Sequence, residues 1–225
     1  MLRSVLAAAA ALLSLQAGAA LIPSGSSATV RITDFARGHA VADVSTDNNG
    51  NIGVGQLRGT VNGTSFLTYC TDLFQSFSWG QSYTYTLVDN GAANGFSLRQ
   101  ADLLGKLYTA AGGDAASTDD SVALQLAVWE IMADTTPASV QSGNFRVLSG
   151  TSAAQRHRAD NWLGAVLAPD ATRLFDAQRL VSSVAQDFVV FTALPPPPAS
   201  PVPEPAGPAL VVLALAALAA ARRRN

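Results

Sequence analysis

Alternation of apolar and polar positions marks the segment from Ala28 to Val88 as rich in β-strands. Between Ser82 and Val88, two tyrosines and a leucine share one face and two threonines share the other, which is typical of a half-buried strand. Similar patterns predict further strands around Val30, Ile32 and Phe35 and over residues 56–61 and 66–74. We expect all of these strands to belong to one sheet system.

Two short polar segments separate the predicted strands. The dipeptide Asn62-Gly63 is typical of a tight β-hairpin. The segment from Asp47 to Asn51 alternates acidic and amide side chains as calcium-binding loops do, but its glycine is misplaced and no glutamate closes the loop. We therefore interpret it as a turn.

Helical spacing of apolar residues replaces the strand pattern after residue 96. We predict three helices, which run from the cap Ser97 to Gly112-Gly113, from near Asp120 to about Asp134, and from about Ser152 to Leu167. Strand-like sequence returns at residues 173–181 and 186–191. This order predicts an α+β fold in a single domain, residues 21–193, with a β-rich N-terminal part and C-terminal strands around a helical block.

Residues 1–20 have the composition of a secretory signal peptide. Arg3 supplies a positive start, residues 5–15 are rich in alanine and leucine, and small residues at 17–20 offer a cleavage site. We therefore expect the mature protein to lack this segment and to be exported.

The C-terminal residues predict a stalk followed by a membrane segment. Residues 194–205 are rich in proline, which favours an extended and solvated chain. Residues 206–225 contain a short alanine-rich apolar stretch that ends in Arg222, Arg223 and Arg224, and the positive-inside bias would keep these arginines in the cytoplasm. We expect a transmembrane helix that is short for a full span and that therefore serves as a transient anchor.

This tail, with Pro203, Glu204 and Pro205 before its apolar stretch, resembles the PEP-CTERM sorting signal of bacterial envelope proteins. That signal combines a Pro-Glu-Pro motif, a short hydrophobic segment and a basic end in the same order. The resemblance implies recognition by an exosortase-type processing enzyme, cleavage near the motif, and delivery to the cell surface or the extracellular matrix.

Composition argues against several classes of function. A net charge of −2 without a block of like charges in the body gives no basis for binding nucleic acid. His39 and His157 lie in polar surroundings and suggest no catalytic constellation, and no Cys/His cluster suggests a metal site. An ice-binding surface would need more threonines than Thr84 and Thr86. We therefore predict that the protein is not an enzyme and has no metal or cofactor.

Two residues stand out chemically. Cys70 is the single cysteine of a chain that we expect to be exported, so it is buried and inert, joined to another molecule, or used chemically. Gln125 lies in a helix that is apolar nearly all round, in line with Val128 and Trp129. A buried carboxamide without a partner costs about 1–3 kcal/mol, so some group must receive it, if only a backbone carbonyl.

The sequence around these residues resembles the thioester domains of bacterial surface adhesins. Tyr69-Cys70 on a predicted strand is followed further along the chain by Gln125-x-Ala-Val-Trp129 on a predicted helix. The resemblance implies that Gln125 acylates the Cys70 sulfur with loss of ammonia, and that Tyr69 and Trp129 pack around the bond. The family often has threonine before the glutamine, where this chain has Leu124.

Together these observations predict an exported, surface-sorted attachment protein. Its Cys70–Gln125 thioester would crosslink to amines of a surface or matrix ligand, as the resemblance implies. The alternative is a structural component of a biofilm or extracellular matrix, with no chemistry at Cys70.

Overall fold

The computed structural model describes residues 22–45 and 51–196 of the 225-residue chain. Its strands are β1 (Ser27–Phe35), β2 (Ala40–Val44), β3 (Ile52–Val54), β4 (Leu57–Val61), β5 (Thr64–Cys70), β6 (Ser82–Val88), β7 (Val147–Ser149), β8 (Phe175–Val181) and β9 (Phe188–Ala193). Its helices are α1 (Leu98–Ala110), α2 (Thr118–Ala133) and α3 (Ala153–Val166). The described residues up to Leu194 belong to one compact unit, so the predicted α+β fold in a single domain is confirmed.

Six antiparallel strands close into a barrel in the order β1-β4-β5-β9-β8-β6. In β1, Ala28, Val30 and Ile32 are buried while the residues between them are exposed, because successive side chains of a strand point to opposite faces. The predicted strands therefore do lie in one sheet system. The sequence did not predict that this sheet is closed.

The predicted hairpin at Asn62-Gly63 is confirmed. Val61 of β4 pairs with Thr64 of β5, which leaves the two residues as the whole loop. Asn62 has φ 48° and Gly63 has φ 85°. Two successive positive φ angles are what a type I′ turn requires, and such turns match the twist of the paired strands.

A second, three-stranded sheet, with the order β3-β2-β7, was not predicted. Strands β3 and β7 have three residues each, which is too short for a period of two to be recognised. In addition, β7 lies between two helices in sequence but pairs with the distant β2. Only tertiary structure reveals such a strand.

The three predicted helices are confirmed, and serine side chains mark their starts. Ser97 and Ser152 form capping boxes with Gln100 and Gln155, and Ser117 accepts a hydrogen bond from the Asp120 backbone N–H. Helix α2 therefore begins two residues earlier than predicted. It lies between α1, α3 and the end of β5, which explains why it is apolar on nearly all sides.

The predicted strand over residues 66–74 is too long, because β5 ends at Cys70. Beyond it, the Asp72 carboxylate accepts a hydrogen bond from the Phe74 N–H, an Asx-turn that bends the chain out of the extended conformation. The C-terminal strands are confirmed, but each begins two residues after the predicted start.

Several predictions fall outside the described residues. These are the signal peptide 1–20, most of the turn that begins at Asp47, the motif Pro203-Glu204-Pro205 and the apolar segment with its terminal arginines. Among the helices within residues 22–45 and 51–196, none is both long and apolar enough to cross a membrane.

Candidate functional site

Cys70 is the last residue of β5, at a place where the barrel opens between two strands. Strand β4 pairs with β5 only as far as Thr68, whereas on the other side β9 pairs with both Tyr69 and Cys70. The next backbone group, the Thr71 N–H, also bonds towards β9, at the Asp187 carbonyl. Because backbone groups alternate sides along an antiparallel strand, the N–H and C=O of Cys70 point to the side that β4 has left.

The side chain of Gln125 fills this gap. Its Oε1 accepts a hydrogen bond from the Cys70 N–H at 2.9 Å, and its Nε2 donates to the Cys70 carbonyl, also at 2.9 Å. The carboxamide thus pairs with one residue of β5 as a neighbouring strand would. Gln125 is 1% exposed, so both of its hydrogen bonds are shielded from water.

Helix α2 positions Gln125 against β5 through its apolar surface. All residues from Ser121 to Ile131 are buried, and the side chain of Ser121 accepts a hydrogen bond from the Gln56 N–H at 2.7 Å while it donates to the Gly38 carbonyl. These contacts fix the first turns of the helix relative to β4. The structure therefore brings Cys70 and Gln125 together.

Burial governs the state of the Cys70 thiol. The residue is 6% exposed, and loss of solvation raises the pKa of its thiol well above the usual range, with the nearby Asp72 carboxylate adding to the shift. The thiol is therefore protonated at neutral pH. A protonated, buried thiol is slow to oxidise and is a poor nucleophile towards reagents in solution.

The two predicted packing residues lie in different places. Trp129, one helical turn after Gln125, lines the same pocket as Cys70. Tyr69 is 1% exposed and does not line that pocket. Burial raises the pKa of its hydroxyl, and the neighbouring Tyr108 raises it further. Tyr69 therefore packs on the side of β5 away from the pocket, since neighbouring strand residues face opposite ways.

A pocket of about 230 Å³ opens directly onto Cys70. We call it the aromatic pocket and define it by Cys70 together with the rings of Phe35, Phe77, Trp79 and Trp129. Trp79 is 51% exposed and contacts both Phe35 and Phe77, with ring centroids 5.2 and 4.9 Å away. Cys70 therefore lines a pocket whose walls are largely aromatic and whose polar members are Gln75, Ser76 and Gln186.

The outer part of this pocket was not predicted from the sequence. Phe77 and Trp79 belong to the loop after β5, and Phe35 was assigned only to a strand. The available signal was the density of aromatic residues in a segment that follows the single cysteine, namely Phe74, Phe77 and Trp79. An exposed aromatic cluster next to a reactive candidate is a mark of a binding surface.

Within the described part of the chain, no group of three or more His, Cys, Asp or Glu residues is arranged to hold a metal ion. The side chains of the predicted sorting motif, including Glu204 and the three terminal arginines, lie outside that part.

Comparison with models of known protein families found no match, and neither did comparison with curated proteins. Among solved structures, the chain is similar to the N-terminal domain of the pilus tip adhesin Cpa of Streptococcus pyogenes. The similarity covers 70% of this chain and 93% of that chain, with 12% identical residues and a TM-score of 0.43. This is a loose likeness, so the assignment of the site rests on the residues of the chain itself.

Proposed function

We propose that the protein attaches covalently to a partner through an internal thioester between Cys70 and Gln125. One observation carries the proposal: the Gln125 carboxamide is held by both backbone groups of Cys70, at 2.9 Å each, beside a pocket that leads to the surface. Gln125 is buried, and Cys70 is the single cysteine of the chain.

The arrangement suits formation of the bond. The Cys70 N–H already polarises the Gln125 carbonyl, and it remains in place to stabilise the negative charge that develops on Oε1 when sulfur attacks. The C–S bond forms, the C–N bond to Nε2 breaks, and the thiol proton leaves with that nitrogen as ammonia. This closure needs no further reactant. It is slow, because the thiol is protonated in the folded protein.

The same surroundings preserve the thioester and direct its use. Cys70 and Gln125 are both buried, which limits the access of the water that would hydrolyse an activated acyl group. A primary amine that reaches Gln125 forms an amide and returns the thiol to Cys70. Self-reaction is limited, because the single lysine, Lys106, lies on α1 in an ion pair with Asp102 at 2.8 Å.

A structural matrix component without this chemistry is the second candidate, and one observation favours it. The Gln125 carboxamide has a hydrogen-bond partner for both its oxygen and its nitrogen, so a purely architectural role explains its burial. In that case Gln125 completes the sheet beside Cys70, and the thiol is a small buried apolar group.

For both candidates we propose export, sorting to the cell surface or matrix, and processing by an exosortase-type enzyme after a transient membrane stage. The sequence of the signal peptide and of the tail with Pro203, Glu204 and Pro205 supports this route. The proposed route rests on the two ends of the sequence and not on the folded domain.

Intact mass separates the two candidates. The folded, secreted protein should weigh one ammonia less than its calculated mature mass, and Cys70→Ala and Gln125→Ala should each restore the full mass. Incubation with methylamine should add one methylamine to the native protein and expose one thiol. A full mass, with a thiol that titrates only after unfolding, would establish the structural role instead.

A further inference from the structure

We propose that Asn62-Gly63 is a site of self-modification, at which the Gly63 backbone nitrogen attacks the Asn62 side chain and converts the asparagine to aspartate or isoaspartate. The chain has four Asn-Gly dipeptides; Asn62-Gly63, Asn90-Gly91 and Asn94-Gly95 lie in the described residues, and the fourth lies outside them. Glycine after asparagine leaves the attacking nitrogen unhindered, because glycine has no Cβ. The fold therefore decides which of the three reacts first.

The backbone nitrogen of Gly63 is open to reaction. Asn62 and Gly63 are both exposed, and an added Cβ at Gly63 would have nothing within 4 Å. The paired ends of the hairpin are Val61 and Thr64, and within the described residues the Gly63 N–H has no hydrogen-bond partner. Solvent can therefore remove its proton, and no hydrogen bond of this N–H has to break before the nitrogen attacks.

A backbone donor activates the other reactant, the side-chain carbonyl of Asn62. Its Oδ1 accepts a hydrogen bond from the Thr29 N–H of β1 at 2.9 Å, while the Asn62 N–H donates to the Thr29 carbonyl, also at 2.9 Å. These two bonds hold Asn62 against β1. Negative charge develops on Oδ1 as Gly63 attacks, and a fixed N–H at that oxygen stabilises this charge. The contact with Thr29 therefore both holds and polarises the reacting group.

The dipeptide Asn90-Gly91 is held in an unreactive arrangement. The Gly91 N–H donates to the Phe96 carbonyl at 2.7 Å, and the Asn90 carboxamide donates to the Ala177 carbonyl at 2.9 Å. The Asn90 Oδ1 is buried and has no donor among the described residues. Ring closure here must first break two hydrogen bonds, and no donor then stabilises the charge.

The dipeptide Asn94-Gly95 is exposed at its asparagine but restrained at its glycine. The Gly95 N–H donates to the Ala92 carbonyl at 3.0 Å. An added Cβ at Gly95 would lie 2.1 Å from the Asp89 carbonyl oxygen, so the backbone of this turn is tightly packed. Attack by Gly95 therefore requires local opening of the turn.

The reaction needs only water as a co-reactant. After the Gly63 N–H has lost its proton to solvent, its nitrogen bonds to the Asn62 Cγ, the bond from Cγ to Nδ2 breaks, and Nδ2 takes up a proton and leaves as ammonia. Water then opens the five-membered ring at either carbonyl, which gives aspartate or isoaspartate. Isoaspartate adds one carbon to the main chain of a two-residue loop, so this product should disturb the pairing of β4 with β5.

Peptide mapping, with fragmentation that assigns each change of mass to one asparagine, measures the three rates. The secreted Cys70→Ala protein is incubated at mildly alkaline pH, both folded and in urea, since no thioester forms in this variant. In the folded protein Asn62 should react at least about tenfold faster than Asn90 or Asn94, because only the latter two must first break hydrogen bonds. In urea the three rates should agree within about fivefold, because the fold no longer distinguishes the sites.

A matched pair of glycine variants tests the attacking nitrogen. Gly63→Ala should slow the reaction of Asn62 at least about fivefold, because the added Cβ shields the nitrogen. Gly112→Ala is the control, since Gly112 also has a positive φ, 80° against 85° for Gly63, and open space around an added Cβ. This control should leave the Asn62 rate unchanged.

An unreactive Asn62 in the folded protein, or an Asn90 or Asn94 that reacts as fast, would overturn the proposal. The thioester is decided separately. The closed ring has the same ammonia deficit as a thioester, but it forms during incubation and does not depend on Cys70.

Discussion

Gln125 acts at the scale of a single residue as a substitute for a missing strand. Both backbone groups of Cys70 depend on its carboxamide, and both are shielded from water. The arrangement explains why a polar residue lies in the most apolar of the three helices within the described residues, whether or not a covalent bond follows.

Removal of this carboxamide should therefore destabilise the fold. In the Cys70→Ala background, we expect Gln125→Ala to lower the free energy of unfolding by about 2–5 kcal/mol, because it leaves a buried N–H and a buried C=O unpaired and also opens a cavity. Urea unfolding measures this change. Gln141→Ala, at an exposed glutamine whose amide donates to Asp160, is the matched control and should cost about 1 kcal/mol or less. Equal losses for the two variants would contradict the strand-substitute role.

Trp129 presents the opposite case, a buried donor without an acceptor. The residue is buried, with 2% exposed, and its Nε1 makes no hydrogen bond to the described residues. Such a donor already carries its desolvation cost.

We expect Trp129→Phe to change the free energy of unfolding by less than about 1.5 kcal/mol, because the lost ring volume is partly offset by removal of the unpaired N–H. Trp129→Ala, which also removes the ring contact with Phe145, should cost about 3–5 kcal/mol. Chemical denaturation of both variants is the measurement. A Trp129→Phe loss as large as that of Trp129→Ala would show that the N–H has a partner.

The two central residues of the site were predictable because each violates a local expectation. A lone cysteine in a chain that is predicted to be exported and a glutamine within an apolar helix are visible in sequence alone. Their exact contact was not, since it depends on β4 leaving β5 after Thr68, which no local pattern encodes. The rings of Phe35, Phe77 and Trp79 were missed because the first comes from β1 and the other two from the loop after β5, which only the fold brings together.

At the scale of elements, the close approach of α1 to β8 depends on a glycine. Gly105 lies inside α1, and a Cβ added there would be 2.3 Å from the backbone carbonyl oxygen of Phe175. The neighbouring Thr109 side chain accepts a hydrogen bond from the Leu174 N–H at 2.9 Å, which holds the same approach. Gly164 in α3, by contrast, has nothing within 4 Å of its added Cβ.

This difference predicts opposite effects for the same substitution in two helices. Gly164→Ala should stabilise the protein by about 0.5–1 kcal/mol, because alanine has the higher helix propensity. Gly105→Ala should destabilise it by at least about 2 kcal/mol, since the helix must move away from β8. Thermal or urea unfolding of the two variants, side by side, is the test. Stabilisation by both would mean that α1 does not pack as closely as described.

Helix boundaries were predicted better than strand boundaries for a physical reason. The serine caps Ser97 and Ser152 and the glycines after α1 act locally and can be identified from the sequence, whereas the cap Ser117 was missed. Strand ends are set by partners far away in the chain, as for β7, whose partner β2 comes before the first helix. The end of β5 is different, because the Asx-turn at Asp72 is a local signal that was missed when the apolar pattern alone extended the strand beyond Cys70.

At the scale of the whole molecule, closure of the barrel was beyond sequence reasoning. The order of elements predicted strands before and after a helical block, and the structure confirms this order. Closure requires β8 and β9 to insert between β5 and β6, which are consecutive in sequence but not adjacent in the barrel. This long-range pairing also brings the Asp187 carbonyl to Thr71, next to the candidate site.

Glu130 connects the helix of the site to the pH dependence of the whole fold. It is 2% exposed; its Oε1 accepts a hydrogen bond from the Ala138 N–H at 3.2 Å, and its Oε2 has no partner among the described residues. Burial raises the pKa of Glu130 to about 7, although the Ala138 N–H opposes the shift. Burial also raises the pKa of Asp187, against the opposing effects of the Ser182 N–H and Arg179.

The sign of the resulting pH dependence follows from proton binding. Because the folded pKa of Glu130, about 7, is above the ordinary value of 4.5, the folded state holds more protons than the unfolded state between these pH values. The contribution of Glu130 to stability should therefore fall as pH rises from 4.5 to 7 and then level off, and Asp187 should add a change of the same sign.

We expect Glu130→Gln to remove most of the loss between pH 5 and pH 8, with a difference of about 1–3 kcal/mol from the unmodified protein at pH 8. Urea unfolding at several pH values measures it. Asp170→Asn, at an exposed carboxylate, is the control and should leave the pH dependence unchanged. A Glu130→Gln variant that becomes less stable relative to the unmodified protein as pH rises from 5 to 8 would contradict this account, since loss of a buried carboxyl that prefers its neutral form can only act in the opposite direction.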